Sequence, residues 1–244
     1  MTNFPVEKTD LQALLSRIES LPPEDYDVLY RHLHMGGIDL PDQNIIALNV
    51  TLEDYLEHYA ADHCEWVEGM VIKMSPGSMK HNALIYFLYR LLEAYFEIRP
   101  IGKVVGQPFV LRLPAFPRRR REPDLIVILN TNLHELKETY MDGPADICIE
   151  VVSEDSVDRD HGDKFSEYEK GGVPEYWIID PLRRETRFYR LNNDGRYHRQ
   201  PEVDGYYRTP TLPDLALHIP TLWEENLPGP AATVQTVQAM LQSR

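Results

Sequence analysis

Cysteine is scarce in this chain: Cys64 and Cys148 are the only two in 244 residues. Two thiols cannot supply the disulfide framework of a small secreted domain, and nothing has the paired spacing of a zinc site. Cys148 stands inside an apolar run and reads as a small buried hydrophobe. Long apolar runs are missing too. None approaches the roughly 18 residues that a bilayer span requires, so no membrane helix is expected. The opening MTNFPVEKTD has neither the basic start nor the apolar stretch of a secretory signal, so a cytoplasmic protein is the expectation. Positive charge is the third shortage, with 25 Lys and Arg against 39 Asp and Glu and a net charge of -14. Taken whole, that balance argues against a nucleic-acid partner. Internal repeats and low-complexity tracts are absent.

The distribution of charge changes this picture. Residues 1–62 carry 3 basic and 12 acidic side chains, residues 63–121 carry 10 and 4, and residues 122–155 carry 1 and 9. A basic segment therefore runs directly into an acidic one. Arginines for phosphate beside carboxylates for cations is what a metal-dependent phosphodiesterase requires. Surface charge alternating in blocks would look the same. With 43% hydrophobic residues the chain can build a substantial core.

Periodicity divides the chain into elements. Residues 1–40 read as two acidic helices: Leu11, Leu14, Leu15 and Ile18 line one, and Leu29, Tyr30 and Leu33 line the other, with Pro22-Pro23 between. Such a pair must dock on the body or on a partner. Residues 41–49 read as a linker. A helix is expected from a Thr51 cap to about Ala60, with Leu52, Tyr55 and Leu56 inward. Residues 65–74 read as a hairpin turning near Glu68-Gly69. A Ser-Pro-Gly-Ser loop leads into a long amphipathic helix, His81 to Ile98. Residues 103–113 read as one strand, and AFPRRRRE as a basic loop. Later, ETRFYRL and GRYHRQ read as antiparallel strands joined by Asn192 to Gly195. One or two short strands follow over 210–222, then a helix over 232–242.

The most informative stretch is Glu122 to Pro181. EPDLIVIL and ADICIEVVS each hold a short β-rich apolar run, Leu125 to Leu129 and Ile147 to Val152. Each brings one carboxylate, Asp124 at the mouth of the first and Glu150 inside the second. A carboxylate in an apolar strand is costly unless paired or bound to a metal. A helix follows from an Asp158 cap, with Asp160 and Asp163 near its positive end. Lys164, Phe165 and Tyr168 share a face. Gly171-Gly172 and Pro174 stop that helix, and Glu175 to Asp180 is a third strand.

The order of Pro123-Asp124, Glu150-Val151-Val152-Ser153, Arg159-Asp160, Lys164, Tyr168, Gly172 to Trp177 and Asp180 resembles the Uma2 family (DUF820). That family is assigned to the PD-(D/E)XK nuclease superfamily. The resemblance runs from about 51 to 222. One departure from the superfamily pattern matters: a D/E-x-K motif would put lysine at 152, where this chain has Val152, and Lys164 on the following helix fills the place.

The resemblance implies an α/β fold with a restriction-endonuclease-like core, a mixed central sheet flanked by helices. The helical hairpin over 1–40 and a helical tail over 223–244 would flank it. It implies a metal-dependent endonuclease that hydrolyses phosphodiester bonds of DNA. Asp124, Glu150 and Lys164 would be catalytic, with Mg²⁺ or Mn²⁺ on Asp124 and Glu150, since oxygen donors suit hard cations. No organic cofactor is implied. His81, Glu68, Gln107, Arg159 and Tyr168 are candidate supports, although Glu68 reads equally as a turn carboxylate and Tyr168 as packing. Arg118, Arg119, Arg120 and Arg121 would grip DNA backbone, or form a solvated loop. A homodimer is an expected assembly. The rival reading is a catalytically silent module on the same fold, binding nucleic acid or another protein.

Overall fold

The computed structural model describes residues 45–154, 156–157 and 159–242. The chain divides into two compact units, one ending at Met74 and one beginning at Ser75. The helical pair expected over 1–40 lies outside the described residues.

In the first unit, β1 (Ile45–Ala47) pairs antiparallel with β3 (Met70–Lys73), which pairs with β2 (Cys64–Val67). The linker expected over 41–49 is thus corrected: Ile45-Ile46-Ala47 is apolar enough to add a strand to the hairpin, Ile45 opposite Ile72. Helix α1 (Leu52–His58) starts at Thr51, whose Oγ1 accepts the Asp54 amide at 3.1 Å. Tyr55 is its buried anchor and donates to the Cys64 carbonyl at 2.7 Å. Leu56, expected inward, is 55% exposed, because a two-turn helix covers little more than the Tyr55 face. Glu68 and Gly69 both adopt positive φ, 53° and 92°, as a tight hairpin turn demands.

The second unit opens with α2 (Met79–Ile98), capped by Ser78, whose Oγ accepts the His81 amide at 3.1 Å. It is organised on a six-stranded mixed sheet in the order β12-β11-β10-β9-β7-β4. These are β4 (Gly102–Gly106), β7 (Leu125–Leu129), β9 (Ile147–Val151), β10 (Glu175–Asp180), β11 (Glu185–Leu191) and β12 (Tyr197–Gln200). Strands β9 and β10 run parallel, joined through helix α3 (Lys164–Gly171), while β7 runs antiparallel to β9. The strand expected over 103–113 breaks in two, β4 and β5 (Val110–Arg112), with Pro108 between them. Proline cannot donate to a ladder, so the sheet edge ends there.

The central strands are apolar on both faces because both are covered. Leu125 and Val127 join Ile147, Ile149 and Trp177 in a core with Leu84, Leu88 and Leu92 of α2. Ile126 and Ile128 join Cys148, Tyr176 and Ile178 in a second core with Tyr168 of α3. Each such large side chain contributes about 1.5–3 kcal/mol by leaving water.

Short segments complete the unit. The basic loop contains an extended pair, β6 (Arg119–Arg120), and Arg121 exchanges backbone hydrogen bonds with Leu111. Strand β8 (Tyr140–Asp142) pairs with β5, and β13 (Tyr206–Arg208) with β14 (Ala216–His218). Helix α4 (Pro230–Gln242) packs along α2. Among the described residues no helix is long and apolar enough to cross a membrane.

The Asp158 cap expected for the next helix lies outside the described residues. Residues Arg159–Asp163 form a π turn that passes into α3. The helix ends where expected, at Gly172, whose φ of 81° suits a residue without Cβ.

Candidate active site

Strands β7 and β9 pair with Leu125 opposite Ile149. Continuing that register by one residue sets Asp124 opposite Glu150, so their side chains leave the same face of the sheet. Asp124 follows Pro123, outside the ladder, and its Oδ2 accepts the Val151 amide at 2.6 Å. That bond ties the mouth of one strand to the end of the other.

Helix α3 closes over this pair. Lys164 Nζ lies 3.0 Å from Glu150 Oε1, and the Tyr168 hydroxyl donates to the same oxygen at 2.9 Å. Lys164 and Tyr168 are one helical turn apart, so both reach a single carboxylate. Lys164 is 1% exposed and Glu150 2%, so neither charge is solvated and each depends on its partners. Asp160, at the π turn, offers Oδ1 to Lys164 at 3.4 Å, while Ser156 donates to its Oδ2 at 2.5 Å. The Tyr176 hydroxyl donates to the Asp160 carbonyl at 2.9 Å. From α2, His81 Nε2 stands 3.8 Å from Asp124 Oδ1, beyond hydrogen-bond reach. Gly77 makes room for this ring: a Cβ there would lie 2.4 Å from His81 Cδ2.

Burial pushes the Asp124 carboxyl up to about 6, from an ordinary 3.8. His81, Lys164 and the Val151 amide pull the other way, and Asp160 adds to the rise. Nearby, burial raises the Cys148 thiol and the Tyr176 phenol well above their usual ranges, with Glu150 contributing to both. Asp124, Glu150 and Asp160 thus all interact with Lys164 in a nearly dry space. Of these, the paired oxygens of Asp124 and Glu150 are donors of the kind a hard cation prefers. Among the described residues no three or more His, Cys, Asp or Glu are grouped as a metal cage. Two carboxylates with open positions is the way Mg²⁺ is commonly held, the remaining ligands being water and phosphate oxygens.

The other candidate residues are distributed as follows. Glu68 is at the hairpin turn of the first unit, exposed. Gln107 donates its amide to the Glu122 carbonyl at 2.8 Å, beside the strand that bears Asp124. Arg159 is buried at the start of the π turn. The arginine run divides. Arg118 is exposed, whereas Arg120 and Arg121 are buried. Arg121 forks onto Glu167 of α3 with bonds of 2.9 and 2.5 Å, and Arg119 reaches the same carboxylate. Arg120 turns back on the carbonyls of Pro117 and Arg119. Lys170, the other lysine of α3, is exposed.

The sequence places Asp160 near the helix dipole and within the family pattern, without a role at the site, and singles out neither Ser156 nor Glu167. The first two were open to discovery: Ser156, Asp160 and Lys164 repeat at intervals of four, the spacing of neighbours on a helix. Glu167 gave no such signal, since its arginine partners are distant in the chain.

Comparison with known proteins agrees with this architecture. No match is found among curated proteins. A crystal structure described as "a putative nuclease belonging to DUF820" from Anabaena variabilis is similar in fold. It has a TM-score of 0.60 at 19% identity, covering 71% of this chain and 97% of that one. The sequence model of the Uma2 family, described as "Putative restriction endonuclease", matches residues 52–222. On that match, which spans most of the chain and includes Asp124, Glu150 and Lys164, the protein belongs to the Uma2 family.

Proposed function

We propose that this protein is an endonuclease that hydrolyses phosphodiester bonds of DNA with a divalent cation, Mg²⁺ or Mn²⁺. The observation that carries the reading is the convergence on one buried point of Asp124 from β7, Glu150 from β9 and Lys164 from α3, with Lys164 Nζ 3.0 Å from Glu150. A lysine buried at that depth is expensive to keep as mere surface charge, and a catalytic centre is where such groups gather.

In this reading Asp124 and Glu150 would hold the cation, which would supply Lewis acidity to the scissile phosphate and to a coordinated water. Lys164 sets a positive charge beside the phosphate, where negative charge grows in the transition state. Tyr168 and Lys164 together fix the orientation of the Glu150 carboxylate, so the donor atoms are held before substrate arrives. His81, standing off Asp124, is available to contact phosphate. Arg118, exposed at the start of the arginine run, meets the DNA backbone, while Arg121 braces α3 from within.

The test is calorimetric titration of Mn²⁺ into wild type and Glu150→Gln, with a nicking assay on supercoiled plasmid using the same samples. Metal binding and nicking by wild type, both lost in Glu150→Gln, would support the reading. A wild type that neither binds metal nor nicks would overturn it.

A further inference from the structure

Lys164 has two carboxylates, not one. Glu150 Oε1 stands 3.0 Å from its Nζ and Asp160 Oδ1 stands 3.4 Å from it. Glu150 comes from the sheet below, Asp160 from the π turn that leads into the lysine's own helix. Asp160 is as deeply buried as the lysine, and its orientation is itself constrained. Ser156 donates to its other oxygen at 2.5 Å, and Ser156 is pinned in turn by the Ser153 amide, which donates to its Oγ at 2.9 Å. The backbone is held from the sheet by Tyr176, which donates to the Asp160 carbonyl. The Asp160 amide bonds the Ser156 carbonyl at 2.8 Å, so side chain and main chain tie the same two residues.

A flexible four-carbon side chain such as lysine does not hold its ammonium in place by itself. A single ion pair to Glu150 leaves it free to swing about that oxygen. A second carboxylate, at 3.4 Å, restricts that freedom. The π turn belongs to the same device: it alters the angular offset between Asp160 and the helix that follows, and such turns commonly mark functional positions.

We propose that Asp160 is a positioning residue of the nuclease centre. It acts through Lys164, holding the ammonium between two carboxylates at the place where the scissile phosphate is met, with Ser156 as the strut that orients Asp160. This role rests on the nuclease reading above, and it involves no contact of Asp160 with substrate.

The experiment is a double-mutant cycle on plasmid cleavage with Mn²⁺, using wild type, Asp160→Asn, Lys164→Ala and the double variant. Thermal unfolding is followed for each, and Ser156→Ala is added as a milder variant. The expected result is a loss of about 10- to 100-fold in kcat for Asp160→Asn, with KM changed less than about threefold. In the Lys164→Ala background the same substitution should cost less than about twofold, since the group it positions is gone. Ser156→Ala should give a smaller loss in the same direction, and Asp160→Glu a partial recovery over Asp160→Asn. A merely structural role would instead lower the rate equally in both backgrounds, in step with the melting temperature; that outcome, or full activity in Asp160→Asn, would overturn the proposal while leaving the nuclease reading intact. If wild type fails to cleave, the nuclease reading and the role assigned to Asp160 fall together. If Asp160→Asn does not fold, the Ser156→Ala cycle decides: additivity with Lys164→Ala refutes the proposal.

Discussion

Tyr168 donates to Glu150 at 2.9 Å, on the same oxygen that Lys164 approaches. A residue that sequence periodicity assigns to packing thus also orients the carboxylate at the centre of the site. Its ring does both, meeting Tyr176 edge-on at 5.0 Å while its hydroxyl reaches Glu150. Replacing it with phenylalanine keeps the packing and removes the bond. Tyr168→Phe should lower cleavage about 10- to 150-fold, the range expected for one hydrogen bond to a charged group, with little change in melting temperature. Steady-state kinetics beside thermal unfolding would check this, and an unchanged rate would deny Tyr168 its orienting role.

Asp124 makes the metal-free fold sensitive to pH. Because burial raises its carboxyl from 3.8 to about 6, the folded protein binds more protons than the unfolded chain across that window. Its contribution to stability is therefore greatest at low pH and falls as pH rises from about 4 through about 6. Asp124→Asn cannot titrate. Between pH 4.5 and 7 in EDTA, wild type should lose about 2 kcal/mol relative to the variant. Denaturant unfolding at the two pH values would measure it. A constant difference between the two proteins would show that Asp124 is not raised.

Glu167 should matter for stability more than for chemistry. It is buried and receives Arg121 through two bonds, with Arg119 alongside. Removing one partner from a buried pair leaves the other charge stranded, at a cost of about 3–5 kcal/mol. Glu167→Ala or Arg121→Ala should lower the melting temperature sharply. Arg118→Ala, at an exposed position, should leave it nearly unchanged and instead weaken DNA binding, more so at low salt. Equal melting temperatures for Arg118→Ala and Arg121→Ala would contradict this division of the arginine run.

Gly77 offers a test of His81 that leaves the histidine in place. A methyl group at 77 would meet the His81 ring at 2.4 Å and Asn82 Oδ1 at 2.9 Å, so the ring must shift from its place beside Asp124. Gly77→Ala should reproduce the activity loss of His81→Ala without losing the helix cap that Ser78 provides. If Gly77→Ala retains full activity while His81→Ala does not, the ring works from another position.

Much of the site was legible in the chain. Asp124 and Glu150 stand out because carboxylates are conspicuous beside Leu125-Ile-Val-Ile-Leu129 and within Ile147-Cys-Ile-Glu-Val151. Helical spacing puts Lys164 on a face with Phe165 and Tyr168, and the family resemblance is what assigns it to the candidate site. Asp160 was misjudged for a specific reason: an acidic residue in the first turn of a helix has an ordinary explanation in the helix dipole, and that explanation hid its ion pair with Lys164. The arginine run behaves differently. Four consecutive arginines read as one surface, yet Arg121 is drawn inward by Glu167 and Arg120 by the carbonyls of Pro117 and Arg119, while Arg118 stays exposed.

Local order alone dictates strands near 125–129, 147–152 and 175–180, a helix over 81–98 and another ending at Gly171-Gly172, and the turn at Glu68-Gly69. These follow from apolar periodicity, caps and residues that tolerate positive φ, all of which act over a few neighbours. The register that sets Asp124 opposite Glu150 and the seating of α3 that brings Lys164 and Tyr168 onto one oxygen depend on pairings between distant segments. So does the Glu167 carboxylate that binds Arg119 and Arg121. They are decided only when the two faces of the sheet are buried, because burial makes one register and one helix orientation cheaper than every alternative.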